Sequence, residues 1–538
     1  MTEQIGWQAS GSGGAVAAGG AKSVNAGLKI LADDGNAIDA AVATILALAI
    51  TDYGLFAIGG EVPLIYHDAR SRRTRVMSGV GRAPLDPRTI EDFYAEGIPD
   101  EGSYRAMPVP GAPHLCLTAL AMFGTMSFER VVAPTLELLE AGEAEWHLRL
   151  ARTFRRLVEA ERVTPGSREE KLMNARDRFY WGDIAVELVE WYESVGSPLT
   201  AEDLAAHVTT VEEPVSVDYR DVTVHKCGPW TQGPVLAQTL RLLEGADLKS
   251  MKHLSADYVH LVTEAMKLAY ADRDAFYGDP DFVGVPLSRL LSDEYTLMRR
   301  ELIDMKEASQ DRRPGDPYLM RPLAGGEASE NAVRTPISDT TTCVVADRWG
   351  NVVAATPSCN LVGNRPDPRT GVTQGNRLRC MNTMPEHPNC LEPGKRPRLT
   401  LTPTLVTREG QPVAAISVAG GDLQDQTTLN VLLNYLEFGM APEKAVTAPR
   451  FSTDHMENSF DSDPDRDRAF KTPGSLQVNE GIRESVRKDL AERGHKLSVA
   501  EGHIAMPVML GIDEDGTVHA AGDPEAGRHA GALPGKKR

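Results

Sequence analysis

The sequence predicts a layered α/β body, and three observations predict it. Helical spacing of apolar residues dominates the first half of the 538 residues. A stretch rich in Pro, Gly, Glu and Arg, with no apolar period, fills 312–334. After it the character becomes β, with helices between the β runs, and interior strands flanked by helices pack as layers.

The elements follow in order. Residues 21–34 carry apolar side chains at helical spacing and stop at Gly35. Residues 37–50 continue as a second, more apolar helix. Gly54, Gly59 and Gly60 punctuate the chain, and 63–67 reads as a strand. Further helices are expected at 113–123, 127–141, 146–162, 183–195 and 256–277. Between them, 215–225 alternates as strands do, and 312–334 reads as a mobile connector. Residues 340–346 and 352–356 are β runs joined by the turn Asp347-Arg348-Trp349-Gly350-Asn351. Later strands are expected at 401–406, 414–418 and 505–512, and helices at 426–438 and 480–493. No internal repeat is present.

Composition narrows the function. The chain is 41% hydrophobic, with 76 acidic against 57 basic residues and a net charge of −19. No basic run stands out except the tail at 536–538, so nucleic acid is not an expected partner. The acidic balance favours solubility. None of the six cysteines forms a CxxC pair, and no disulfide framework is expected. The N-terminus lacks a basic region followed by an apolar stretch, and the apolar run 40–50 is too short to span a bilayer. A soluble cytoplasmic protein without a membrane partner is the expectation. His225 with Cys227, and His387 with Cys390, lack the spacing of a four-ligand zinc site, so no metal is expected. The glycines from Gly11 to Gly20 lack the GxxxxGK(S/T) pattern and follow no predicted strand. They are not read as a phosphate loop, and no cofactor is expected. Asp272, Arg273 and Asp279 read as residues that hold a helix end in place.

The chemistry concentrates where the connector meets Ser338-Asp339-Thr340-Thr341-Thr342-Cys343. If a three-residue loop closes the hairpin, Asp347 pairs with Asn351, and counting back sets Thr340 opposite Ser358. Opposed residues share a face, so two hydroxyls meet there. A bulge at Gly350 would shift the pairing by one. A threonine that begins a strand becomes a strong nucleophile once the bond before it is broken. Its own α-amine then titrates near ~8 and can take the hydroxyl proton. The precursor can make that cut itself between Asp339 and Thr340, by attack of the Thr340 hydroxyl on the Asp339 carbonyl. Runs such as 340–342 are also ordinary strand sequence. A second element, Ala419-Gly420-Gly421-Asp422, follows an apolar run. Paired glycines there expose backbone N–H groups suited to an oxyanion, although a plain strand-to-helix turn reads the same way.

At this point the sequence resembles the γ-glutamyltransferase family. DTTTCVVADRWGNVVAATPSCN is similar to the start of that family's small subunit, and GNAIDAAVATILAL to its N-terminal helix. VPGAPHLCLTALAMFGTMSFERVVAPTLELLEAG, HLVTEAMKLAYADRDAFYGDPDF, PGKRPRLTLTPTLV, AGGDLQDQ and AGDPEAGRHAGA resemble further segments, in family order. The resemblance implies the four-layer αββα sandwich of N-terminal-nucleophile hydrolases. It implies a large subunit 1–339 and a small subunit 340–538 intertwined as one domain, hence a heterodimer of the chain's own fragments. It assigns Thr340 as nucleophile, Ser358 as the assisting hydroxyl, and Gly420 and Gly421 as the oxyanion pair. Asn360 and Thr400 match substrate-contacting positions. Two matches fail. The family arginine that clamps an α-carboxylate falls at Val80, with Arg82 nearby. The acid that binds the α-amine falls near Cys380, with Arg377 replacing a glutamine just before it. Arg82 and Arg377 would suit an acidic acyl group without an amine, and Asp422 is the other acid at hand. The implied activity is an amide hydrolase or acyltransferase acting on a small-molecule acyl amide. γ-Glutamyl chemistry, acylase chemistry on another acyl group, and a degenerate ligand-binding relative are the alternatives.

Overall fold

The hairpin strands sort their side chains by parity. In a computed structural model, which describes residues 5–99, 102–323, 340–361, 363–470 and 472–535, Cys343 and Val345 face one core while Val344 and Ala346 face another. Val16, Ala18, Val353 and Ala355 join the first set, and Ala15, Ala17, Val352 and Ala354 the second. A period of two with both faces apolar marks a sheet covered on both sides.

That sheet has seven strands, in the order His529–Ala532, Gly14–Ala18, Cys343–Asp347, Val352–Ala355, Val62–Asp68, Arg73–Gly79 and Thr210–Glu212. A second seven-stranded sheet runs Gln8–Gly11, Val518–Gly522, Met506–Ile512, Gln411–Ala419, Thr404–Arg408, Val222–Lys226 and Val215–Tyr219. Leu405, Ala415, Val508 and Leu510 of the second sheet meet Val344 and Ala354 of the first in the core between them. Helices Ala21–Ala32 and Ala37–Thr51 cover the outer face of the first sheet, and Pro234–Leu243, Ala256–Phe276 and Gln424–Leu436 that of the second. These are the four layers expected.

The hairpin closes as counted. Asp347 N–H donates to Asn351 O at 3.0 Å, Gly350 takes the left-handed φ of 88° that the turn needs, and Thr340 bridges Ser358. The helix before the site, Ala37–Thr51, starts on a reciprocal Asn36–Asp39 cap and ends at Asp52.

Several expectations needed correction. The strand expected at 401–406 begins only at Thr404, because Pro403 has no N–H to give a ladder. The stretch 215–225 is two strands, with the chain reversing at Arg220, φ 57°. Gln8–Gly11 is a strand, so the glycine-rich stretch does follow one; its four residues pair only with Val518–Gly522 and are too short to show a period. Arg168–Tyr180 is an unforeseen helix whose apolar face is only Leu172, Ala175, Phe179 and Tyr180. The described part of the connector contains a small hairpin, Gly315–Asp316 with Arg321–Pro322; residues 324–339, Asp339 among them, lie outside the described residues. Among the described residues, no helix is long and apolar enough to cross a membrane.

Candidate active site

Residues of even number on the hairpin face the second sheet. Thr356 Oγ1 lies 2.9 Å from Ser417 Oγ of strand Gln411–Ala419, and Ser417 also donates to Ala355 O at 2.8 Å. One pleat further along the same face stands Ser358, and opposite it Thr340, with the two hydroxyl oxygens 3.2 Å apart. Both residues are buried. On the other flank Ser358 bridges Glu61, with backbone bonds of 2.9 and 3.0 Å in the two directions. Thr340, Ser358 and Glu61 thus form one row across three chain segments.

Arg377, from the single turn Arg377–Cys380, reaches into this row. Its Nη2 donates to Ser358 Oγ at 2.6 Å and its Nε to Glu61 Oε1 at 2.6 Å. Cys380 Sγ lies 3.8 Å from Nη1, and the Phe460 ring centre lies 5.7 Å from the guanidinium. Arg377 stands beside Ser358, and a carboxylate already faces its charge. Glu61 was not foreseen. Its signal was one acid inside the otherwise apolar run Leu55 to Tyr66, since a buried charge in such a setting has to be paired.

The glycine turn follows Ser417 by three residues, within about 10 Å of chain. Gly420 has φ 149° and Gly421 φ 57°, both in the range that favours glycine. A Cβ on Gly420 would come within 2.8 Å of Ala505 Cβ. Asp422 fixes the turn from behind. Its Oδ1 accepts from Arg273 Nη1 and Ser459 Oγ, both at 2.6 Å, and its Oδ2 from Ser459 N–H at 3.0 Å. Arg273 therefore does more than hold a helix end, as the sequence suggested; it reaches across to this turn. Ser459 precedes Phe460, so one loop touches both the glycine turn and Arg377.

Thr400 lies on the segment that packs against the helix start after the glycines. Thr402 N–H donates to Gln424 Oε1 at 3.2 Å, and Lys226 Nζ pairs with Asp425 Oδ1 at 2.9 Å while donating to Thr402 O at 2.9 Å. Burial pushes the Asp425 carboxyl up to about 6, against the pull of Lys226. Thr400 Oγ1 and Asn360 Oδ1 are buried and have no hydrogen-bond partner among the described residues. Asn360 also holds φ 50°, an uncommon backbone state for a residue other than glycine.

Arg82 is not brought to this cluster. Its Nη1 donates to Gly394 O at 3.0 Å and its Nη2 to Asp281 at 3.2 Å. It lines a separate cavity of about 290 Å³ with Phe282 and His207. The chain there is held close to another backbone: a Cβ on Gly81 would meet Val109 O at 1.9 Å. No described contact joins Arg82 to Arg377, the other arginine expected to take an anion. His225 bonds Ser216 and Thr407, and His387 bonds Asn382 and Asn389. Among the described residues no group of three or more His, Cys, Asp or Glu is placed to hold a metal.

On the other face of the segment that carries Thr340, Thr341 Oγ1 donates to Asp52 Oδ2 at 2.5 Å and accepts from Arg528 Nη1 at 3.0 Å. Thr341 N–H donates to Pro357 O at 2.9 Å. The residue after Thr340 is thus tied by three bonds.

The family model described as Gamma-glutamyltranspeptidase matches residues 23–160 and 145–533. A Glutathione hydrolase proenzyme of Bacillus subtilis (strain 168) is 30% identical, over 95% of this chain and 90% of that protein. An Acylase ACY 1 proenzyme of Pseudomonas sp. (strain SE83) is also 30% identical, over 95% of this chain and 92% of that protein. Among solved structures, the cephalosporin acylase from Bacillus halodurans superposes with a TM-score of 0.80 at 25% identity, covering 98% of this chain and 97% of that one.

Proposed function

Because this chain belongs to the gamma-glutamyltranspeptidase family, we propose that Thr340 is the nucleophile of its amide hydrolase and acyltransferase chemistry, freed by self-cleavage at Asp339–Thr340. The observation that carries the reading is the buried Thr340–Ser358 hydroxyl pair, 3.2 Å apart, at the start of a strand whose preceding segment is the connector.

The steps balance as follows. Before processing, Thr340 Oγ1 attacks the Asp339 carbonyl, the peptide C–N bond breaks, and water then hydrolyses the resulting ester. This leaves Thr340 with an α-amine. In turnover that neutral amine takes the hydroxyl proton as Oγ1 attacks the substrate carbonyl. Backbone N–H groups of Gly420 and Gly421 receive the oxyanion, and their rigid turn is aimed before reaction. Collapse expels the amine product, which takes the proton, and leaves an acyl ester on Thr340. Water, or an acceptor amine, then attacks the ester and restores the hydroxyl. Asn360 Oδ1 and Thr400 Oγ1, buried and unpartnered among the described residues, supply hydrogen bonds to the substrate.

Fragments 1–339 and 340–538 would stay together as a heterodimer. Gly14–Ala18 and Val62–Asp68 flank the hairpin of the later fragment within one sheet. The acyl group we favour is one without an α-amine, the acylase reading. Cys380 stands near the position where the family acid binds that amine, and Asp422 is bonded to Arg273. We also propose a cytoplasmic location, in keeping with the buried free thiols Cys116, Cys227, Cys343 and Cys390; cell fractionation tests it. N-terminal sequencing of the smaller band on a denaturing gel tests the main reading, with Thr340 as the expected first residue. Thr340→Ala should give a soluble, uncut, inactive chain. Normal cleavage in that variant, or a start at Thr341 or Thr342, would overturn the assignment.

A further inference from the structure

Val344, Ala354, Leu405, Ala415, Val508 and Leu510 meet in the core between the two sheets. Burying such side chains is favourable but non-directional, and it fixes how one sheet lies along the other less sharply than a hydrogen bond does. One pleat from the nucleophile pair, this core turns polar. Thr356 and Ser417 put two fully buried hydroxyls 2.9 Å apart, and Ser417 Oγ also donates to Ala355 O at 2.8 Å. These two contacts tie the end of strand Val352–Ala355 to strand Gln411–Ala419 of the opposite sheet at one point.

From that point a stiff arm runs each way toward a reacting group. On the first sheet, Thr356 is followed by Pro357 and Ser358. The proline fixes its own φ and confines Thr356 to extended backbone. Thr356 N–H donates to Pro63 O at 3.1 Å, Ser358 N–H to Glu61 O at 3.0 Å and Thr341 N–H to Pro357 O at 2.9 Å, so the arm is held along its length. Two residues of extended chain span about 7 Å, and Ser358 at its end bridges Thr340. On the second sheet, Val418 and Ala419 stay in the ladder opposite Pro507 and Met506, up to the turn at Gly420.

We propose that Thr356 and Ser417 are positioning residues, whose joined hydroxyls set the nucleophile of one sheet against the oxyanion glycines carried by the other. They act through the backbone and not on the substrate: Thr356 through Pro357 on Ser358 and Thr340, Ser417 through Ala419 on Gly420 and Gly421. Attack needs Thr340 Oγ1 and the glycine N–H groups on one carbonyl at once. A displacement of about 1 Å between them can cost on the order of 10²-fold in rate. The inference rests on Thr340 being the nucleophile and on the glycine turn receiving the oxyanion.

The test is a cycle in the full chain. Thr356→Val removes one hydroxyl, keeps the branched shape and leaves Ser417 bonded to Ala355 O, so no buried polar group loses its last partner. Thr356→Ser keeps the hydroxyl. Both are made in the wild-type and Gly420→Ala backgrounds. Readouts are kcat and KM of the processed enzyme on glutaryl- or γ-glutamyl-p-nitroanilide, whichever turns over faster. In the wild-type background, Thr356→Val should lower kcat by about 10-fold with KM within about 3-fold, and Thr356→Ser should stay within about 2-fold of wild type. In Gly420→Ala, where the donors are already displaced, the same valine should cost less than about 3-fold. Unchanged kcat in Thr356→Val, equal losses in both backgrounds, or a change confined to KM would overturn the proposal. If Thr356→Val does not fold, Ser417→Ala, which cuts the tie from the other sheet, serves in the same cycle. Thr340→Ala and Gly420→Ala run alone beside it. Cleavage in the first, or wild-type turnover in the second, would defeat the underlying assignments, whereas additive effects with both of those impaired defeat only this step.

Discussion

Replacing Thr341 by valine removes one oxygen and keeps the shape of the side chain. That oxygen sits between two buried charges, donating to Asp52 and accepting from Arg528, which remain 3.2 Å apart without it. Hydrogen bonds to charged groups contribute about 1.5–3 kcal/mol, and the surviving Asp52–Arg528 pair recovers part of the loss. The expected cost in stability is therefore about 2 kcal/mol, read as a lower urea midpoint. The larger effect should be on self-cleavage. Thr341 is covalently next to the nucleophile, and its hydroxyl is one of the ties that set where Thr340 begins. Displacement of a reacting atom by about 1 Å can cost on the order of 10²-fold in rate. We expect the half-time of the precursor band, followed on gels after a short induction, to lengthen at least about 10-fold. Thr341→Ser, which keeps both bonds, should cleave near the wild-type rate. A valine variant that loses stability yet cuts at the wild-type rate would refute the claim that this network aims the nucleophile.

Three other outcomes are expected. Gly420→Ala puts a Cβ 2.8 Å from Ala505 Cβ on a backbone at φ 149°, so it should swing the oxyanion donors aside and lower kcat about 10²-fold with the chain still folded; wild-type turnover would remove this turn from the site. Glutaryl-p-nitroanilide should exceed γ-glutamyl-p-nitroanilide in kcat/KM, since an ammonium would face Cys380 and Arg377, with Glu61 already bonded to Arg377, a loss of several kcal/mol; the opposite ranking would mean that an acid such as Asp422 serves the amine. Burial alone would raise the Glu457 carboxyl, but His387, Arg466 and Arg312 outweigh it and lower it, so its share of stability is present above its ordinary value of 4.5 and lost as pH falls below it. The wild-type unfolding free energy from urea titration should drop between pH ~5 and ~3 by roughly 1–3 kcal/mol more than that of Glu457→Gln; equal drops would exclude Glu457 as the cause.

Local rules carried the sequence reading furthest. A three-residue turn and a period of two were enough to set Thr340 opposite Ser358, because hairpin register depends on nothing remote. Most helices with a wide apolar stripe were legible, but Pro234–Leu243, with nine of its ten residues buried, was not foreseen, and the charged Arg168–Tyr180 escaped because only four of its residues are buried. Arg377, Asn360 and Thr400 could be suspected only from the resemblance, since each lies on a loop or short turn whose course no period encodes. Arg82 has no described contact with that cluster. It lies two residues from the position expected of a clamp, but tight packing of Gly81 on the Val109 backbone turns it toward Gly394 and Asp281. Asp52 and Glu61 were passed over as single acids, although each stands in an apolar stretch.

Those overlooked acids change how charge at the site is understood. Glu61 answers Arg377, Asp52 answers Arg528, Asp422 answers Arg273, and Asp425 answers Lys226. In each pair the partners come from distant parts of the chain, so folding itself brings them together. Removing one partner of a buried pair costs about 3–5 kcal/mol, which ties every one of these charges to the architecture. The fixed charges in these four pairs therefore already have partners. A zwitterionic head would have to displace one of those partners or bring its own. The buried acceptor Asn360 Oδ1 and the hydroxyl Thr400 Oγ1 have no partner among the described residues and ask only for hydrogen bonds. Selection by shape and hydrogen bonding, with catalytic charge held in pairs behind the reacting atoms, is the arrangement these residues favour.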